Sequence, residues 1–350
     1  FGYNPYFMAG YPSNTIQDLS IKFFEFAALA LSALTLSAVQ WFKLIAFLSM
    51  ASVPFVLYFA ARNFFYADDS KSLIAFSAAT LGTIYWWNSL PREMFFYGMI
   101  GFTVAAYVSI WGVSLVYRCA YEDRIISPAH LGGLGFALII LPLHIQSLLI
   151  FLPPLLVLSL IEPKFFTRNV ILSILGAAGL SLAVNWCWLG PAIAHRHDDI
   201  SLEIVNQLPI FASMDPFTFI IDYLGTQGYW SFRPTFLEKG LRLALLIIGV
   251  LGIRKLIYSE QRALGIMLAS GASVLFLLTY FGAFLPFAKA WQPLRFKIPF
   301  DLFLSVAAAY AIARQLRSGD VTKPRVMPLL IGAAALAFGL NLLQTESAAR

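Results

Sequence analysis

"PAHLGGLGFALIILPLHIQSLLIFLPPLLVLSLI", Pro128 to Ile161, runs for 34 residues without an Asp, Glu, Lys or Arg. As a single helix it would reach about 51 Å, against a hydrocarbon core of about 30 Å. The polar notch His144-Ile145-Gln146-Ser147 and the pair Pro153-Pro154 interrupt it. The stretch therefore reads as two short helices hinged near 144–147. The rest of the chain has the same character. Apolar residues make up 59%, charged residues 12%, and the mean hydropathy is +0.76. Soluble domains run near 45–50% apolar and about 25% charged. One soluble core could not hide this much apolar surface. Helices can cross lipid because they satisfy their own backbone hydrogen bonds. The alternating ten-residue segments of a transmembrane barrel are not seen. The fold class is all-α: a polytopic helical transmembrane bundle with an extracytoplasmic loop layer.

Apolar runs between charged residues predict further helices at 42–61, 71–88, 95–117, 169–190, 238–257, 263–283, 298–314 and 326–343. With the split run at 128–161 and a helix at 21–38, this predicts ten or eleven membrane segments. They form one integral membrane domain over 1–350. Residues 1–41 form a first external loop with an interfacial or re-entrant helix, and 191–237 a large external loop. The start at Phe1, in a polar-aromatic loop without an initiator methionine, predicts that at least one upstream transmembrane helix is missing.

Charge assigns the sides. The short loops 62–71, 118–128, 162–168, 254–262 and 314–325 carry 13 of the 24 Lys and Arg. By the positive-inside tendency they are cytoplasmic. Segments 1–20, 89–94, 191–237 and 284–297 then face outward from the plasma membrane. The net charge of +6 comes without the basic stripe that nucleic-acid binding needs. Cys119 and Cys187 have no metal-ligand spacing, and the topology separates them across the membrane, which predicts no disulfide.

This topology makes "LPFAKAWQPLRFKIPFDLF", Leu285–Phe303, unexpected. Its cations Lys289, Arg295 and Lys297 fall on the outer side, where orientation does not call for them. Two readings fit: general contact with anionic headgroups, or a specific phosphate-bearing ligand. Pro299 suits the first turn of the next helix, whose positive end would face the same anion. In the large loop, His195, Arg196, His197, Asp198 and Asp199 could ligate a divalent cation or move protons, or simply be a solvated helix exit. Further on, Asp222, Tyr229, Trp230 and Arg233 offer stacking faces and bidentate groups suited to a sugar or acceptor. Membrane-interface aromatics explain them equally well. "WWNSLPREMFFYG" places Arg92 and Glu93 beside the membrane on the same side. Few ionisable residues sit within the spans, Asp301 being one turn in, which argues against an ion-coupled transporter.

Three segments resemble one family. "GYNPYFMAGYPSNTIQDLSIKF" resembles the first extracytoplasmic loop of polytopic glycosyltransferases of the GT-C class, with its aromatic-Gly-Tyr-Pro element. "VLYFAARNFF" is similar to their recurrent helix ending in small residues and Arg. "WQPLRFKIPFDLFLSVAAAYAI" is similar to a Pro-x-Arg-Phe stretch opening a late helix. The resemblance implies a transferase that moves a sugar from a polyprenyl-phosphate donor to an acceptor at the outer face, among membrane lipids. Members carry a base or metal-binding acid in the first external loop, at a position that here precedes Phe1. Asp18 is the acid in the visible part of that loop, and 89–94 has no Asp-x-Asp pair. On this reading Arg295, with Lys289 or Lys297, holds the donor phosphate as fork and point charge. Asp18, Glu93 or Asp198 deprotonates the acceptor. A divalent metal, if used, would be met by His195, His197 and Asp199. The rival readings are a lipid or polysaccharide transporter or flippase, with a continuous polar path, and a non-catalytic membrane assembly protein.

Overall fold

The computed structural model describes residues 27–86, 100–122, 127–140, 144, 146–194, 223, 236–285 and 293–318. Among these residues every regular element is a helix. Residues 27–32 are helical and 33–37 form a turn. Helix α1 (Ala38–Ala51) then starts on a reciprocal cap: Gln40 N–H donates to the Ser37 hydroxyl, and Ser37 N–H donates to the Gln40 side chain. The break expected at 38–42 therefore lies earlier, at 33–37. Ser52 keeps right-handed helical angles and Pro54 falls in the first turn of α2 (Val53–Phe64), so α1 and α2 together make one 27-residue apolar span.

The chain continues through α3 (Lys71–Trp86), α4 (Ile100–Glu122), α5 (Pro128–Ile140), α6 (Ser147–Ile161) and α7 (Arg168–Ala194). It ends, among the described residues, with α8 (Phe236–Ile257), α9 (Arg262–Phe281) and α10 (Lys297–Ser318). The 128–161 run breaks between Ile140 and Ser147, at the polar notch, whereas Pro153 and Pro154 are carried inside α6. At 13 and 15 residues these two helices are about 20 and 22 Å long, each short of the hydrocarbon thickness. Five helical stretches among the described residues are long and apolar enough to cross a membrane: Ala38–Phe64, Ile100–Glu122, Arg168–Trp186, Arg262–Phe281 and Pro293–Arg317. The shorter apolar helices α3, α5 and α6 stand beside them. Helix α8 has the length but is charged at both ends, by Glu238, Lys239 and Arg242 and by Arg254 and Lys255. The all-helical class holds among the described residues, which supply five candidate spans toward the ten or eleven expected.

Helices α4 and α10 form the centre, each with 94% of its apolar window buried. They are ringed by α2, α3, α6, α8 and α9, and α7 packs on α5. The outer surface stays apolar. Leu160, Phe55, Leu175 and Ile247 are all more than half exposed, and in water such a belt would be an aggregation surface. In lipid it is solvated. Helix α8 lies parallel to α10 at very close range: a methyl group added at Gly249 would sit 2.9 Å from Leu304 Cβ, and one at Gly252 would overlap the Ala307 carbonyl. Only residues without a side chain let the two backbones approach this way.

The short basic loops meet on one face. Asp68, in the α2–α3 turn, accepts from Arg314 at the end of α10 (2.8 Å), from Gln261 in the α8–α9 turn (3.2 Å) and from its own Ser70 N–H (2.8 Å). Arg317 donates to Ser70 at 2.9 Å. At the end of α4, Arg118 pairs with Glu122 at 2.9 Å and lies over the Tyr66 ring. Cys119, a free thiol, packs with Val170 near the start of α7. Cys187 is seventeen residues beyond Val170 along that helix, a rise of about 26 Å.

Candidate functional site

At the opposite end of the bundle, a 3-10 turn, Pro293–Phe296, leads into α10. Its apolar residues Leu294 and Phe296 are buried and anchor the turn, while Arg295 between them stays partly exposed. The guanidinium lies 5.9 Å from the Phe102 ring centre, and its Nη1 is 3.2 Å from His144 Nε2. Phe102 is held by edge contacts to His144 and Phe296. Three distant parts of the chain thus converge: the start of α4, the α5–α6 connection and the entrance to α10.

The chemistry of this contact fixes the histidine. A guanidinium can only donate, so Nε2 accepts and the ring proton resides on Nδ1. Burial, and after it the neighbouring Arg295 charge, pushes His144 down to about 3. The imidazole is neutral at physiological pH. Its Nδ1 is buried and has no hydrogen-bond partner among the described residues. The result is an N–H donor without an acceptor beside a guanidinium.

Lys297, two residues on, is placed quite differently. It is fully buried, with its ammonium 3.6 Å from Asp301 one helical turn later. The Tyr223 and Tyr280 hydroxyls lie at 3.3 and 3.2 Å, and the Tyr223 ring centre at 4.5 Å. Its positive charge is met by a carboxylate and aromatic faces from inside the protein. Arg295, on the same short segment, is only partly buried.

A group that the sequence reading passed over opens α8. Arg242 donates to Glu238 at 3.1 Å, and Glu238, Lys239 and Arg242 are all buried. The contacts of Gly249 with Leu304 and Gly252 with Ala307 set the register of α8 on α10. Carried back two turns, it brings Arg242 level with Lys297. Three charges in five residues at the mouth of an apolar helix were the available signal. Lys239, Arg242, Arg295 and Lys297 thus share this end of the fold with Glu238 and Asp301.

The other candidates, Asp18, Glu93, Asp198, Lys289, Asp222, Tyr229, Trp230 and Arg233, lie outside the described residues, as do His195, His197 and Asp199. The predicted helix at 326–343 and most of the 191–237 loop are outside them too. Among the described residues no group of three His, Cys, Asp or Glu could hold a metal ion. No family model, no curated protein and no solved structure matches the chain.

Proposed function

We propose that this chain is the membrane part of a GT-C-type glycosyltransferase that takes a sugar from a polyprenyl-phosphate donor and passes it to an acceptor at the extracytoplasmic face. The observation that carries the reading is the Arg295–His144 pair: a partly buried guanidinium beside a neutral imidazole whose Nδ1–H has no acceptor among the described residues. A phosphate oxygen accepts from both donor types, and Arg suits it as a planar fork. The lipid tail of such a donor would lie against the apolar exterior of the bundle. The leaving phosphate gains charge as the sugar departs, and fixed donors aimed at that charge lower the barrier. The acceptor hydroxyl loses its proton to a carboxylate, for which Asp18, Glu93 and Asp198 are proposed. Lys289 is proposed as a second phosphate contact, and Lys297 as support for the turn that carries Arg295. Placing the short basic loops in the cytoplasm, and counting ten or eleven membrane segments, belong to the same proposal.

The polar knot of Asp68, Gln261, Arg314 and Arg317 favours this reading over a transporter, because it ties three loops together at the far end of the bundle. The test uses membranes carrying the full chain, polyprenyl-phosphate-linked sugars and an acceptor extract, with release of polyprenyl phosphate as the readout. Arg295→Ala should abolish release at unchanged expression, and His144→Ala should slow it. Unchanged release in Arg295→Ala sinks the proposal, as does a cysteine placed at 295 that reagents reach only from the cytoplasm.

A further inference from the structure

We infer that a bilayer around this chain is thinned beside the short helices α5 and α6, so that lipid headgroups come down to the level of the Arg295–His144 contact. These helices present an apolar face outward: Leu148, Leu152, Leu156 and Leu160, four residues apart along α6, are all exposed, as is Phe136 on α5. Polar residues close both ends of that strip. Gln146 precedes α6 and Glu162 follows it, sixteen residues on, a rise of about 24 Å. The neighbouring helices repeat the spacing. His130, in the first turn of α5, donates to the Leu115 carbonyl at 3.0 Å, and the His144 ring packs on Phe102. Those two contacts are thirteen residues apart on α4, about 20 Å. From Arg118 to Phe102 the rise on α4 is about 24 Å, and from Arg314 to Lys297 on α10 it is about 26 Å. Tilt only shortens these along the membrane normal, whereas an ordinary hydrocarbon core is about 30 Å. A bilayer meets an apolar segment that is too short by thinning, at modest cost per Å. Trp186 marks the same level on α7. It is 60% exposed, as suits a headgroup boundary, and follows Asn185, whose amide donates to the Ile139 carbonyl at the end of α5 (3.1 Å). The 27-residue α1–α2 span reaches about 40 Å, so the shortfall belongs to the α5–α6 side. A phosphate carried by a lipid then comes level with Arg295 without leaving the membrane surface.

The test measures depth in the membrane. The full chain is reconstituted in dioleoylphosphatidylcholine with bimane on a single cysteine, placed in turn by Leu148→Cys, Leu156→Cys and Leu160→Cys. Each variant also carries Cys119→Ala and Cys187→Ala, so that the label attaches at one position. Fluorescence quenching is compared between phosphatidylcholine bearing a nitroxide on its headgroup and the same lipid bearing it in mid-chain. A bilayer of ordinary thickness resting on Glu162 would leave Leu148, fourteen residues away, about 9 Å below the far headgroup boundary. Thinning removes that depth. The headgroup nitroxide should therefore quench more than the mid-chain one at both Leu148 and Leu160, with the order reversed at Leu156. Stronger mid-chain quenching at Leu148 overturns the inference. So does the lack of mid-chain quenching at Leu156, which would mean that α6 does not face lipid. If the Leu148 variant does not fold, Trp186→Cys reads the same level from α7: headgroup quenching there supports thinning, and mid-chain quenching overturns it. No sugar donor or turnover enters the measurement, so its outcome depends on the chain lying in a bilayer and is independent of the transferase assay.

Discussion

Replacing Lys297 with Met removes the ammonium but keeps most of the stem's volume, so the loss can be read as loss of the pair with Asp301. Both side chains are essentially sealed from solvent, at 0% and 3% exposure, with 3.6 Å between the charges. At an effective dielectric of about 20, a pair at that distance is worth about 4–5 kcal/mol. Breaking a buried pair by removing one member typically costs about 3–5 kcal/mol, because the remaining charge is stranded. The two figures agree, so Lys297→Met should destabilise the fold by about 3–5 kcal/mol. Asp301→Leu should cost less, about 2–3 kcal/mol, since the Tyr223 and Tyr280 hydroxyls and rings still solvate the ammonium. The double variant leaves neither charge of the pair stranded by the loss of the other and should recover part of the loss. The assay is reversible unfolding in mixed micelles, run as a double-mutant cycle. If the two single effects add within about 0.5 kcal/mol, the residues do not act as a pair and the argument fails.

Three further outcomes follow from other parts of the fold. Gly252→Ala should cost about 1–3 kcal/mol or more by forcing α8 from α10, whereas Gly179→Ala, which meets open space, should be neutral or stabilising by up to about 1 kcal/mol; thermal unfolding of both variants decides this. Asp68→Ala should lower the unfolding free energy by about 2–3 kcal/mol, because it strands three donors. Arg314→Ala should lower it by about 1 kcal/mol, since that side chain is 38% exposed and Asp68 keeps two donors; equal losses in unfolding assays would contradict this ordering. His144 takes up a proton near 6.5 when unfolded but only near 3 in the fold. The unfolded state therefore binds the extra proton in that window, and stability drains away as pH falls from about 6.5 toward 3. The melting-temperature difference between wild type and His144→Gln should stay constant above that window and shift against wild type within it.

Much of the architecture was legible residue by residue. The unbroken apolar runs announced helices, and the notch at 144–147 marked the break between α5 and α6. The density of Lys and Arg picked out the loops that the fold gathers on one face, because orientation acts on short loops through local charge. The start of α1 was also written in the chain, as Ser37-x-x-Gln40, although the longer apolar run at 21–38 masked it. Helix count was less legible: α5 and α6 are apolar yet short, and α8 is long yet charged at both ends.

What the chain's order determined by itself is its solvent, since hydropathy and run length depend on composition along the strand. The difference between Arg295 and Lys297 was decided only by tertiary packing. Both are cations in "PLRFKIPFD", two residues apart; Asp301 follows Lys297 by one helical turn, but nothing local says which of the two is buried. Lys297 is sealed because Tyr280 and Tyr223 close over it beside Asp301, and Arg295 is oriented by a histidine 151 residues away in sequence. Burial and pairing are properties of which helices meet, and the electrostatics that make a cation structural or available follow from them.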